Sequence, residues 1–123
     1  MKVRTPLRSG FTLVEIMIVV ALIGLLVSVA IPNFVHARTT AQQNACINNL
    51  RQIDGAAQTW ALENNKGPGD QYTLSLIKPY IKLNSNSNIP GCPAGGVYNG
   101  AGPIYVSAAP TCSLSAFGHV FRM

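Results

Sequence analysis

Glu15 is the residue whose type and position most call for a chemical explanation. It is the only ionisable group between Phe11 and Ile31, a run of 21 otherwise largely apolar residues. A carboxylate at that depth is expensive in lipid and marks function by default. The three other acids, Asp54, Glu63 and Asp70, have no adjacent histidine and no paired carboxylate to act as general acid and base. Gly95-Gly96 and Gly100 to Gly102 sit in turn-rich sequence with no helix following, so they form no phosphate cradle. Neither enzymatic catalysis nor a cofactor is expected.

The element that positions Glu15 is a helix. Twenty-one residues at helical rise span roughly 31 Å, the thickness of a bilayer core. Nearly half the chain is hydrophobic (48%) and only 11% is charged, and the apolar excess lies in this run. The chain is therefore expected to enter a membrane at some stage, with lipid as its first partner. Lys2, Arg4 and Arg8 precede the run and supply three of the charges behind the net +5. Their placement reads as a cytoplasmic anchor that sends the C-terminal part across the membrane. Pro6 disfavours an early helix start. Thr12 and Glu15 have the spacing of a capping box, a reading ranked below a functional one in so apolar a setting.

Gly24 and Pro32 are the two flexible points of the helix, because Pro32 cannot donate to the Ser28 carbonyl. Beyond Pro32 the pattern stays helical but becomes amphipathic. Ile47, Leu50, Ile53, Ala57 and Trp60 form one apolar stripe. Asn64 to Gly69 stops it with lysine, glycine and proline. An unbroken helix from Phe11 to Asn64 would be roughly 80 Å long. The remaining residues suggest a short helix over Thr73 to Ile81, ending near Pro79. An Asn/Ser loop follows over Asn84 to Asn88, and then short strands at Gly96–Asn99, Ile104–Ser107, Thr111–Leu114 and Gly118–Arg122. The expected fold is α+β: a long N-terminal helix against a small antiparallel sheet of two to four strands. Such a sheet is too small to stand alone and is expected to rest on Leu50, Ile53, Ala57 and Trp60. The divisions are a leader (1–10), an apolar helix (11–32), an amphipathic helix (33–64) and a cap (65–123).

In an exported cap Cys46, Cys92 and Cys112 would meet an oxidising compartment, and an odd count leaves one thiol over. Cys92 and Cys112 lie in turn-rich sequence and are the expected pair. Their disulfide would contribute about 3 kcal/mol by loop closure. With no close Cys pair of the usual ligand spacing, Cys46, Cys92, Cys112 and His119 are not expected to hold zinc. His36 and His119 read as surface or turn histidines. Lys66, Lys78, Lys82 and Arg122 are scattered, so nucleic acid is not an expected partner.

Arg8-Ser9-Gly10-Phe11-Thr12-Leu13-Val14-Glu15 resembles the cleavage and methylation motif of type IV prepilins and type II secretion pseudopilins. The resemblance extends through Pro32 and Phe34 and, in architecture, to about Asn64. It implies cleavage between Gly10 and Phe11 by prepilin peptidase and N-methylation of Phe11. It further implies a register contact between Glu15 of one subunit and the Phe11 amine of a neighbour. The partners it implies are identical or related pilin subunits and, indirectly, the assembly ATPase and platform. The place it implies is the bacterial inner membrane, then a periplasmic or extracellular filament.

The family's major pseudopilins hold calcium in an acidic C-terminal loop. Here no Asp or Glu follows Asp70, and no tight calcium site is expected. Two other readings use the N-terminus only for export of a ligand- or DNA-binding domain: an unprocessed anchor, or a secretory signal cut after Ser28-Val29-Ala30. Against the signal, the apolar run exceeds the roughly 7–15 residue core of such segments and contains Glu15.

Overall fold

The computed structural model describes residues 2–3, 9–99 and 102–122. Of the leader residues singled out above, Arg4, Pro6 and Arg8 lie outside the described residues, as does Gly100. A single helix, α1, runs from Leu13 to Glu63 and is continuous through Gly24 and Pro32. Its start is the capping box. Thr12 N–H and Oγ1 donate to Glu15 Oε2 at 2.7 and 3.0 Å, and Glu15 N–H donates back to Thr12 Oγ1 at 3.3 Å. Its end is a Schellman turn on Asn65, whose φ of 52° places it in the left-handed region. Lys66 N–H reaches Ala61 O at 2.8 Å and Asn65 N–H reaches Leu62 O at 3.4 Å. The reversal thus falls on an asparagine, two residues before the expected glycine.

The chain divides into two compact units, residues 1–37 and 38–123. In the first, the hydrophobic side chains from Phe11 to Val35 are exposed on every face of the helix. The most apolar 18 residues of α1 have a mean hydropathy of 2.8, enough in length and composition to cross a membrane.

In the second unit, α1 buries Cys46, Leu50, Ile53, Ala56, Ala57, Trp60 and Ala61. Strands β1 (Gln71–Tyr72) and β2 (Ile104–Tyr105) pair antiparallel, with Gln71 opposite Tyr105 and Tyr72 opposite Ile104. Val106 N–H to Asp70 O at 2.9 Å and Ser107 N–H to Pro68 O at 3.2 Å continue the contact past the strands. Tyr72 and Ile104 turn onto the helix core, where Tyr72 meets Trp60 with ring centroids 6.4 Å apart. Gln58 Nε2 also donates to Val106 O at 3.0 Å. Two residues per strand are too few for an independent sheet, and the helix stripe supplies the missing burial.

The expected stripe of Leu50, Ile53, Ala57 and Trp60 is the one that carries the core. The strand expectations change. Only Ile104–Tyr105 among the four candidates is a strand, and its partner β1 had no sequence signal. The segments 96–99 and 111–114 meet in a single bridge, Tyr98 with Cys112. Residues 118–122 form no strand. Residues 73–81 form turns and one 3-10 turn, Lys78–Tyr80, because Pro79 sits where a helix would need its N–H.

Candidate functional site

The N-terminal site is built from a Ser9-Gly10-Phe11 segment without regular secondary structure that leads into the Thr12–Glu15 box. Phe11 is 87% exposed. Both Thr12 donors meet the same Glu15 oxygen, so the threonine fixes the direction of the carboxylate one turn from Phe11. A Cβ added at Gly24 would meet nothing within 4 Å, which leaves open space at this point of the helix. Leu13, Val14, Ile16, Met17, Val20 and Leu22 are all more than half exposed. A helix that is apolar all round is stable only when lipid or other apolar helices cover it.

The second concentration of chemistry lies in the cap. Cys46 faces the core from α1, and Cys92, Cys112 and His119 approach it from three separate loop segments. All four are buried, and their ligand-type atoms lie within 4.8 Å of one another. Cys92 Sγ is 3.4 Å from His119 Nδ1. Burial works against the Cys92 thiolate. The backbone N–H groups of Ala94 and Gly96 and the Cys46 and Cys112 thiols outweigh it, so its pKa falls below the ordinary thiol value. Cys46 goes the other way: burial, and its contacts with Cys92 and Cys112, raise its pKa. Tyr98, held by Asn49 Nδ2 at 3.1 Å, contacts Cys46 through its hydroxyl.

Two sequence expectations change here. The Cys92–Cys112 bridge is not formed: Cys46, Cys92 and Cys112 are all free thiols. Cys46, the thiol left over by that pairing, lies four residues before Leu50 on the buried stripe and joins the other two. His119 is 3% exposed, not a surface or turn histidine. No two of the cysteines are close in sequence, and the four side chains converge from Cys46, Cys92 and the 112–119 stretch. The spacing of Cys46 from Leu50 and Ile53 was the signal that could have placed it.

A family model, the prokaryotic N-terminal methylation motif, matches residues 6–31. The type II secretion system core protein G of Aeromonas hydrophila is 30% identical over 70 residues, covering 57% of this chain and 49% of that protein. The type IV major pilin protein of Myxococcus xanthus is 39% identical over 61 residues, covering 50% of this chain and 28% of the pilin. The type IV major fimbrial protein of Dichelobacter nodosus is 38% identical over 61 residues, covering 50% and 39% respectively. The chain thus spans half or less of the length of these relatives, which are named as secretion-system, pilin and fimbrial proteins and not as enzymes. No solved structure is a significant match. In the motif, in these relatives, and in a long apolar helix leading to a small antiparallel sheet, the chain is similar to type IV pilins and type II secretion pseudopilins.

Proposed function

We propose that the chain is a structural subunit of a type IV pilus or a type II secretion pseudopilus, assembled through its N-terminal helix. The observation that carries this reading is the methylation motif over residues 6–31, leading into a helix whose apolar side chains are exposed on every face. In this reading Lys2, Arg4 and Arg8 hold the leader in the cytoplasm. Prepilin peptidase cuts between Gly10 and Phe11 and methylates Phe11.

The new amine is a cation beside an apolar helix, and in a dry helical bundle it needs an anion. Glu15 of a neighbouring subunit supplies it and sets the axial register. Because Thr12 follows the cut, both of its donors to Glu15 Oε2 survive maturation, leaving the second oxygen for the incoming amine. Gly24 and Pro32 let the helix bend or stretch as subunits pack. The mature cap is carried outside the inner membrane, in the periplasm or on an extracellular filament.

The test is Glu15→Leu in cells that assemble the filament. Removing one partner of a buried ion pair strands the other charge, so filament yield falls about tenfold or more while membrane insertion is unchanged. Undiminished filaments from this variant would contradict the assignment.

A further inference from the structure

Filament assembly through the N-terminal helix makes no use of the cluster buried in the cap. We propose that Cys46, Cys92, Cys112 and His119 form a structural zinc site in which three thiolates and one imidazole hold a single Zn2+ ion. The four ligand atoms already lie within 4.8 Å of one another. Tetrahedral zinc, with Zn–S near 2.3 Å and Zn–N near 2.0 Å, requires ligand separations of about 3.5–3.8 Å. The Cys92 Sγ to His119 Nδ1 distance of 3.4 Å falls within about 0.1 Å of that range, and the widest pair needs to close by only about 1 Å.

The surroundings are those of a metal centre. Ala94 and Gly96 direct backbone N–H groups at the Cys92 sulfur, and the Tyr98 hydroxyl meets the Cys46 sulfur. Asn49 donates to both Tyr98 Oη and Gly91 O, at 3.1 and 3.2 Å, and so holds the Cys92 loop against α1. Three thiolates outweigh the ion by one negative charge, and these donors point at two of the three sulfurs that carry it. Gly96 is required by space: a Cβ there would lie 2.6 Å from Cys112 Sγ. Gly118, at φ 87°, makes the left-handed turn that brings His119 inward, and Gln43 Nε2 fastens that turn through Phe117 O at 2.6 Å.

Binding is a ligand exchange without redox change. Zn2+ replaces three thiol protons, which leave to solvent, and the neutral imidazole contributes its lone pair. Four protein ligands close the coordination sphere, so the ion is structural and not catalytic. The sulfur-rich donor set selects zinc over calcium or magnesium, which take oxygen ligands. A disulfide between any two of these cysteines would leave a third buried thiol and a buried histidine unused. Zinc engages all four, and joins α1, the 92–96 turn, the Tyr98–Cys112 bridge and the 118–120 tail. That gives a cap with two strands of two residues each the cross-link that small domains require.

The test uses the untagged full-length chain, purified in detergent without chelator. Elemental analysis should find one zinc per chain, and cobalt exchanged into the site should show the thiolate charge-transfer and intense d–d bands of a tetrahedral centre. Cys46→Ser and His119→Ala should lose the metal. His119→Cys should keep one zinc and shift the cobalt spectrum toward that of a four-thiolate centre. Chelation should lower the thermal midpoint of the cap by about 10 °C or more. A substoichiometric metal content in the unaltered chain overturns the proposal, whether mass mapping then finds a disulfide or three free thiols. Full zinc content in Cys46→Ser overturns it as well. None of these outcomes depends on whether the chain assembles a filament.

Discussion

The two compact units use the same helix in opposite ways. Up to residue 37, α1 shows apolar side chains on all faces and buries none of them, and its one carboxylate is tied, among the described residues, to its own N-cap. From Gln43 onward polar residues reach neighbouring loops, Gln43 to Phe117 O, Asn49 to Gly91 O and Gln58 to Val106 O, beside a single buried stripe that starts at Cys46. The second unit completes its own core. The first leaves its apolar faces uncovered, and in the proposed function lipid and then other subunits cover them. Secondary structure is therefore no guide to where stability resides along this helix; the arrangement of apolar side chains around it is.

Substitutions of one residue type on the two halves sharpen that contrast. Leu50 is fully buried, so Leu50→Ala should destabilise the cap by about 2–5 kcal/mol in chemical unfolding monitored by Trp60 fluorescence. The same change at exposed Leu22 should alter that unfolding by less than about 0.5 kcal/mol. Equal effects at the two positions would break the comparison. Between these extremes in kind, the Glu15→Leu variant should leave cap unfolding untouched and impair assembly alone.

The legible parts of the fold were those with a strong period or a specific motif. The three- and four-residue spacing of Leu50, Ile53, Ala57 and Trp60 placed the core face correctly, because burial on one side of a helix must repeat near 3.6 residues. The capping box was visible in Thr12 and Glu15, although its weight was judged too low. Strand β1 was not legible: Gln71 and Tyr72 are two residues, too few to show alternation, and they pair only because Asp70 and Pro68 extend the contact to Val106 and Ser107. The Tyr98–Cys112 bridge replaced two expected strands for the same reason. The cysteine cluster was hidden by distance along the chain. The spacing of Cys46 from Leu50 marks its place on the buried stripe, but the left-handed Gly118 that turns His119 inward has no local sequence signature.

Maturation at Gly10–Phe11 is the step on which the proposed role of the first unit rests. The most direct measurement is the intact mass of the chain recovered from cells that contain prepilin peptidase. The predicted species begins at Phe11 and carries the added mass of one methyl group, assigned by fragmentation to the Phe11 amine. A chain that retains residues 1–10, or one that begins at Ile31, would contradict the account.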